Sequence, residues 1–133
     1  MDRINTLLKE QYWIIDILPE QVPENAKGQY FAVEKYFMRG ENLAVIQEKK
    51  TNIILKLNCY MNIYIDDMGD NPAPELLSKS IRQTELNILT GNSLIVADPD
   101  DTYMTVYNPD KHLLDLIRKI ATAEGMFVWK PLQ

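Results

Sequence analysis

The sequence has few of the residues that most often build reactive or cross-linked sites. Its 133 residues include one cysteine, Cys59, one histidine, His112, and five glycines. A single cysteine excludes an intrachain disulfide, and the same two counts exclude a zinc site with three or four Cys or His ligands. The glycines lie apart at positions 28, 40, 69, 91 and 125. The sequence therefore contains neither a phosphate-binding loop nor a dinucleotide-binding fingerprint.

Long apolar runs and clusters of positive charge are also missing. No stretch approaches the roughly 18 consecutive apolar residues of a membrane span, and residues 1–6 lack the apolar core of a signal peptide. The chain carries 19 acidic and 14 basic residues, a net charge of −5 at pH 7, and its basic residues form no stripe. These features disfavour nucleic acids and anionic membranes as partners. We expect a cytoplasmic protein.

The composition that remains is typical of a folded domain. Apolar residues make up 46% of the chain and charged residues 25%, which is too apolar for a disordered tail. A chain of this length buries enough surface for one hydrophobic core and too little for two. We therefore predict a single domain over residues 1–133.

The most regular hydropathy pattern lies in residues 53–66. Every second residue from Ile53 to Ile65 is apolar, and most of the residues between them are polar or aromatic. Alternation over this length predicts a central strand with one buried face, with a bulge or two consecutive strands left open. In this strand Cys59 points into the core. The side chains that point to the other face are Asn58, Tyr60, Asn62 and Tyr64.

Further strands are predicted on both sides of this segment. Residues 86–89, 93–97 and 103–107 favour strands and are separated by turn sequences, which indicates a three-stranded antiparallel meander. The compact apolar runs 12–18 and 126–129 predict two more short strands.

Helices are predicted between the strands. The clearest begins at Asn108 as N-cap, has Pro109 at its first position and ends before Gly125. Others are expected at 74–83, at 29–38 and at 43–49, with Gly40 separating the last two, and a short one near Ile4 and Leu7. Together these elements predict an α+β domain with a mainly antiparallel sheet and helices packed largely on one face.

The candidate chemical groups give no catalytic set. Cys59 and His112 would have to form any Cys/His catalyst, but a thiol buried among apolar side chains is unreactive. No serine lies in a nucleophile motif. We therefore assign no catalytic residue and no cofactor, and we favour a protein that is not an enzyme.

Two acidic segments, 66–71 and 98–101, raise the question of a divalent cation. Carboxylates and turn carbonyls are suitable ligands for calcium or magnesium, but the first segment lacks the EF-hand spacing. Asp and Asn are also preferred in turns for their own hydrogen bonding. We favour turns and assign no metal ligand, while a cation site stays an alternative.

The least ordinary feature is a set of tyrosines and amides on the predicted strands. If the outer face of 53–66 and the row of 103–107 share one sheet face, they form a surface that suits recognition. The candidate binding residues are Asn58, Tyr60, Asn62, Tyr64, Tyr103 and Tyr107.

Three functions are compatible with these observations. The leading hypothesis is a binding or regulatory module that acts through a protein partner or through self-association. The alternative is a small-molecule or divalent-cation binding protein, or an enzyme, with a pocket lined by Tyr, Asn and Asp. A third hypothesis, motivated only by charge, is an acidic inhibitor that masks a basic protein.

Overall fold

The computed structural model describes residues 2–132, which form an α+β fold of five helices and one seven-stranded antiparallel sheet. The helices are α1 (Arg3–Leu7), α2 (Tyr30–Phe37), α3 (Gly40–Asn58), α4 (Pro74–Ile81) and α5 (Lys111–Ala123). The strands are β1 (Tyr12–Asp16), β2 (Tyr64–Ile65), β3 (Gly69–Asp70), β4 (Leu86–Thr90), β5 (Ser93–Ala97), β6 (Met104–Tyr107) and β7 (Phe127–Trp129).

The sheet has the strand order β3-β2-β4-β5-β6-β1-β7, and all neighbours are antiparallel. The predicted meander is confirmed as β4, β5 and β6 at the centre of the sheet. Its first turn has Gly91 at φ +54°, a conformation that glycine adopts without strain. The strand predicted at 12–18 pairs with β6, and the one predicted at 126–129 closes the far edge.

The hydrophobic core lies between one face of the sheet and the helices α3, α4 and α5. Ile88, Ile95 and Val106 project from adjacent central strands and are fully buried. Leu77 of α4 and Ile117 of α5 are buried in the same cluster. The prediction that helices pack largely on one face is therefore confirmed for α3, α4 and α5, whereas the short α1 packs against β5 on the opposite side and α2 has no buried residue.

The sequence of α5 explains why this segment forms a helix. Leu113, Ile117 and Ile120 recur at helical spacing and are buried, so one stripe covers the sheet. The Asp110 carboxylate accepts a hydrogen bond from the Leu113 N–H at 2.8 Å and caps the helix. The predicted N-cap at Asn108 was wrong, because Asn108 has φ +57° and belongs to the turn before the helix.

The predicted long strand at 53–66 was wrong. Residues 53–58 are the last part of helix α3, Cys59 is its C-cap, and only Tyr64–Ile65 is a strand. The helical pattern appears when the segment is extended toward its N-terminal side: Ile46, Lys50, Ile53 and Leu57 are buried at spacings of three and four residues. Ile54 is also fully buried, although alternation placed it on the outer face. The helix predicted at 43–49 is thus the beginning of one 19-residue helix.

The remaining helix predictions are confirmed with small changes at their ends. Gly40, with φ +31°, lies where α2 gives way to α3, at the predicted break. Among residues 2–132, no helix has both the length and the apolar composition needed to cross a membrane.

Candidate functional site

The sheet face opposite the core, here called the open face, carries the candidate site. Residues paired across antiparallel strands point to the same side, so the register defines rows of neighbours on this face. One row is Tyr64, Leu89, Leu94, Tyr107 and Tyr12. The next row is Asn87, Val96, Thr105, Ile14 and Trp129. Helix α1 covers the centre of the first row, where Leu7 and Leu94 are both buried.

A third row follows when the same registers are continued by one residue beyond the paired segments. It joins Glu85, Asp98, Tyr103 and Asp16. Three of these four side chains are carboxylates, and Tyr103 lies between Asp98 and Asp16. Burial raises the pKa of Tyr103, and the negative charges of Asp101, Asp16 and Asp98 raise it further.

The larger cavity on the open face, here called the aromatic groove, has a volume of about 770 Å³. Its floor is the face of β1, β6 and β7, and one wall is helix α2. The aromatic residues that line it are Tyr12, Tyr30, Tyr103, Tyr107 and Trp129. The Trp129 indole N–H donates to the Leu18 carbonyl at 3.0 Å, which fixes the ring in the groove. The rings of Tyr12 and Tyr107 lie 5.4 Å apart between centroids.

Asp16, Glu34 and Tyr30 interact electrostatically within this groove, and a third carboxylate, Asp101, also lines it. The Tyr30 hydroxyl donates to a Glu34 carboxylate oxygen at 2.9 Å, one turn along α2, and this bond raises the pKa of Tyr30. Burial raises the pKa of Asp16, opposed by the Ile17 and Leu18 N–H groups, and the charge of Glu34 raises it further. Asp101 at the same groove has its pKa raised by burial. These carboxylates would gain from a cation that replaces the water they have lost.

A second cavity, here called the acidic hollow, has a volume of about 510 Å³ and adjoins the groove across the open face. It shares Leu8, Asp101, Tyr103, Thr105 and Tyr107 with the groove. Its own carboxylates are Asp2, Asp66, Glu85 and Asp98. Among residues 2–132, no lysine or arginine lines either cavity.

The turn that joins β5 to β6, and that borders both cavities, is held from the core side by a buried lysine. The Lys50 ammonium is inaccessible and donates to the carbonyls of Asp98 at 2.7 Å and Asp101 at 2.9 Å. The Gln47 side-chain amide donates to the Pro99 carbonyl. Burial lowers the pKa of Lys50 to about 8, against the opposing effect of the nearby aspartates.

The acidic segments thus have structural roles within the part of the chain that the structure describes. The Asp98 carboxylate accepts from the Asp100 N–H at 2.9 Å, as in an Asx turn, and the Lys50 ammonium binds the turn carbonyls. Asp67, at φ +70°, and Gly69, at φ +85°, form the tight turn between β2 and β3. In residues 2–132 no three His, Cys, Asp or Glu side chains converge as metal ligands would.

The structure brings together only half of the predicted binding residues. Tyr64, Tyr103 and Tyr107 lie on the open face, although Tyr64 lines neither cavity. Asp66, beside Tyr64 in sequence, is the largest cause of a raised pKa at Tyr64.

Of the other three predicted residues, Asn58 and Tyr60 belong to the helical layer, and Asn62 lies in the segment that leads to β2. The Asn58 amide donates to the Asn71 side-chain oxygen at 2.8 Å, and Asn71 donates to that of Asn62 at 3.1 Å. This network fixes the chain between α3 and the β2–β3 hairpin. Tyr60 is 72% exposed and lies against α5 in the helical layer.

The predicted burial of Cys59 was also wrong. Its thiol is exposed at the end of α3, because the residue is the C-cap of a helix and not the middle of a strand. His112 is exposed in the first turn of α5. Neither residue lines the aromatic groove.

Sequence reasoning missed the residues that shape the groove wall. Tyr30 and Glu34 were interpreted only as parts of a helix, yet their spacing of four places both side chains on one helical stripe. Met38 continues this stripe, and all three line the groove. The sequence signal that could have found them is this spacing of four, because it places an aromatic, an acidic and an apolar side chain on one helical stripe.

Comparison of the chain with protein-family models, with curated proteins and with solved structures gives no match.

Proposed function

We propose that this protein is a non-enzymatic binding module whose aromatic groove takes up a basic side chain of a protein partner. The observation that carries the proposal is the lining of the groove. Within the described part of the chain, this lining combines five aromatic side chains with the carboxylates of Asp16, Glu20, Glu34 and Asp101 and includes no basic residue. A cavity of this kind can bind without catalysing a reaction.

Two forces act on a cation in such a groove. A guanidinium or ammonium group is attracted to the face of a tyrosine or tryptophan ring, by about 0.5–2 kcal/mol depending on desolvation. The Glu34 carboxylate, already accepting from the Tyr30 hydroxyl, has further lone pairs for a charged donor. Arginine suits both contacts, because its planar group stacks on rings and binds carboxylates through two hydrogen bonds.

The shape of the groove favours a group presented by a protein. The cavity is open along the sheet, and its rim includes exposed apolar side chains, among them Tyr12, Tyr30 and Met38. Such side chains can pack against the backbone around a basic residue. A small organic cation is the second candidate, favoured because the volume of about 770 Å³ lies within the range of small-molecule sites.

The proposal is tested by the fluorescence of Trp129, which lines the groove. A Trp13→Phe background leaves Trp129 as the only reporter, since the sequence has two tryptophans. The ligands are the blocked tripeptide Gly-Arg-Gly and, as control, Gly-Gln-Gly. We expect saturable quenching with the arginine peptide alone.

Variants then locate the binding. Glu34→Gln keeps the shape of the side chain but removes its charge, and we expect it to weaken binding about fivefold or more. Glu48→Gln removes the same charge at an exposed position of α3 outside the groove and is expected to have no effect. Equal affinity of the two variants would reject the proposal.

Two further measurements test the nature of the ligand and the role of the groove carboxylates. If ethylguanidinium binds as tightly as the peptide, the second candidate is favoured over a protein partner. Affinity should also decrease on acidification, because protonation of Asp16 removes one of the attracting charges. The midpoint should lie above the usual aspartate pKa of 3.8, since burial raises the pKa of Asp16.

A further inference from the structure

From the adjacency of the two cavities we infer that the partner segment is extended and carries two basic residues four positions apart, one for the aromatic groove and one for the acidic hollow. This inference rests on the proposed function of the groove and specifies the ligand. The occupant we commit to is a basic protein segment, because carboxylates line both cavities and, in the part of the chain that the structure describes, no lysine or arginine does.

The two cavities are neighbours on the open face. Asp101, Tyr103 and Thr105 border both of them, so a ligand that lies over these shared residues contacts both cavities. Helix α1 covers the first row of the open face at Leu94. It does not cover the third row, which contains Asp98 and Tyr103 and lies beside both cavities.

The register gives the distance between the two anchoring ends. Asp16 on β1 and Glu85 before β4 lie in the same row and are separated by three strand spacings, or roughly 14 Å. An extended chain advances about 3.3 Å per residue, so four residues span roughly 13 Å. Residues i and i+4 of an extended segment also point to the same side, toward the sheet.

A helical ligand with basic residues at i and i+4 does not match the separation of Asp16 and Glu85. In a helix, i and i+4 are separated by only about 6 Å along the axis, and a cation roughly 14 Å away would be nine residues along. The spacing of basic residues in the ligand therefore distinguishes an extended segment from a helix.

The experiment compares fluorescein-labelled peptides built on glycine and serine. One has a single arginine, and the others have two arginines separated by one, four or nine positions. By fluorescence anisotropy we expect the i, i+4 peptide to bind about fivefold more tightly than the single-arginine peptide. Tightest binding of the nine-residue spacing, or equal binding of all two-arginine peptides, would overturn the inference.

Variants assign the second anchor. Asp66 and Glu85 are exposed, so the double variant Asp66→Asn, Glu85→Gln is not expected to disturb the core. It should abolish the gain from the second arginine and leave the affinity for the single-arginine peptide unchanged. If the gain persists in the double variant, the acidic hollow is not the second anchor and the inference fails.

The two proposals fail in different ways. The Glu48→Gln control should retain the full preference for the i, i+4 peptide. Binding of the single-arginine peptide without any gain from a second arginine would leave the groove proposal intact and reject the extended ligand. No binding of the single-arginine peptide would reject the groove proposal itself.

Discussion

The two faces of the sheet differ in their contacts and in their contribution to the stability of the fold. On the core face, Ile88, Ile95 and Val106 are fully buried under the helices. On the open face, the alternating neighbours Val96 and Thr105 are only half-buried and border cavities. The same strands therefore provide the stability on one side and the binding surface on the other.

The open face also holds charge in partly dehydrated positions. Burial raises the pKa of Asp16 and of Asp101, which means that each carboxylate is less favourable there than in water. The core face therefore stabilises the fold, whereas the partly dehydrated carboxylates of the open face oppose folding. Such a balance is common where polar side chains are kept for binding.

The largest expected effect is a difference in stability loss between substitutions at two adjacent positions of β5, one on each face of the sheet. Ile95→Ala should destabilise the fold by about 2–5 kcal/mol, because it leaves a cavity among fully buried side chains. Val96→Ala, one residue along on the open face, should cost about 1 kcal/mol or less. Urea denaturation followed by circular dichroism measures both. Similar losses would contradict the assignment of the faces.

An intermediate effect is expected at Lys50, which links the core to the open face. Lys50→Met fills the same space but leaves the Asp98 and Asp101 carbonyls without their donor, which costs about 1–3 kcal/mol at pH 7. Since this turn borders both cavities, ligand affinity should decrease as well. The matched control is Lys56→Met, which removes a half-exposed lysine from the same helix. A Lys50→Met variant as stable as the wild type would contradict this role.

The same lysine predicts a pH dependence of stability. The pKa of Lys50 is about 8 in the folded state, below its usual 10.5, so between these values the unfolded state binds more protons than the folded one. Wild-type stability should therefore rise with pH over this interval, relative to Lys50→Met, by about 3 kcal/mol. The difference between the two proteins is the informative quantity, because titration of the tyrosines is common to both. A constant difference would contradict the prediction.

The smallest expected effect is at Asp16. Its pKa is raised in the folded state, so above the usual aspartate range the unfolded chain has already lost a proton that the folded chain still holds. Wild-type stability should therefore fall, relative to Asp16→Asn, as pH rises through that range. Thermal melts at pH 3.5 to 7 measure the difference. A difference that stays constant over this pH range would contradict the prediction.

The meander could be predicted because its signals are local. Turn residues such as Gly91 and the strand-forming residues beside them act within a few positions. The helix α5 was predicted for the same reason, with an error of two residues at its N-cap, where Asn108 and Asp110 are both good capping residues.

The segment 53–66 could not be assigned from its own pattern. Ile53, Leu55 and Leu57 are compatible with alternation, and Ile53, Ile54 and Leu57 are equally compatible with a helix. The packing of α3 against α4 and α5 decides between them, and that is a tertiary effect. The error placed Cys59 and Tyr60 in the sheet, whereas both lie in the helical layer.

The groove could not be predicted because its walls are distant in sequence. Asp16 and Glu34 face one cavity only because helix α2 returns to the open face near β1. The pairing of strand β1 with β6, which places Tyr12 against Tyr107, is equally non-local. Composition indicated an acidic protein, but not that the acids gather on one face.

That gathering makes the molecule electrically polar. The cavities contain carboxylates without basic side chains, whereas the helical layer on the opposite side carries Lys49, Lys56, Arg118 and Lys119. A positively charged partner would be turned toward the correct side before it touches the surface, and its association rate would fall as salt shortens the reach of the field. Dissociation, governed by short-range contacts, would be much less sensitive to salt.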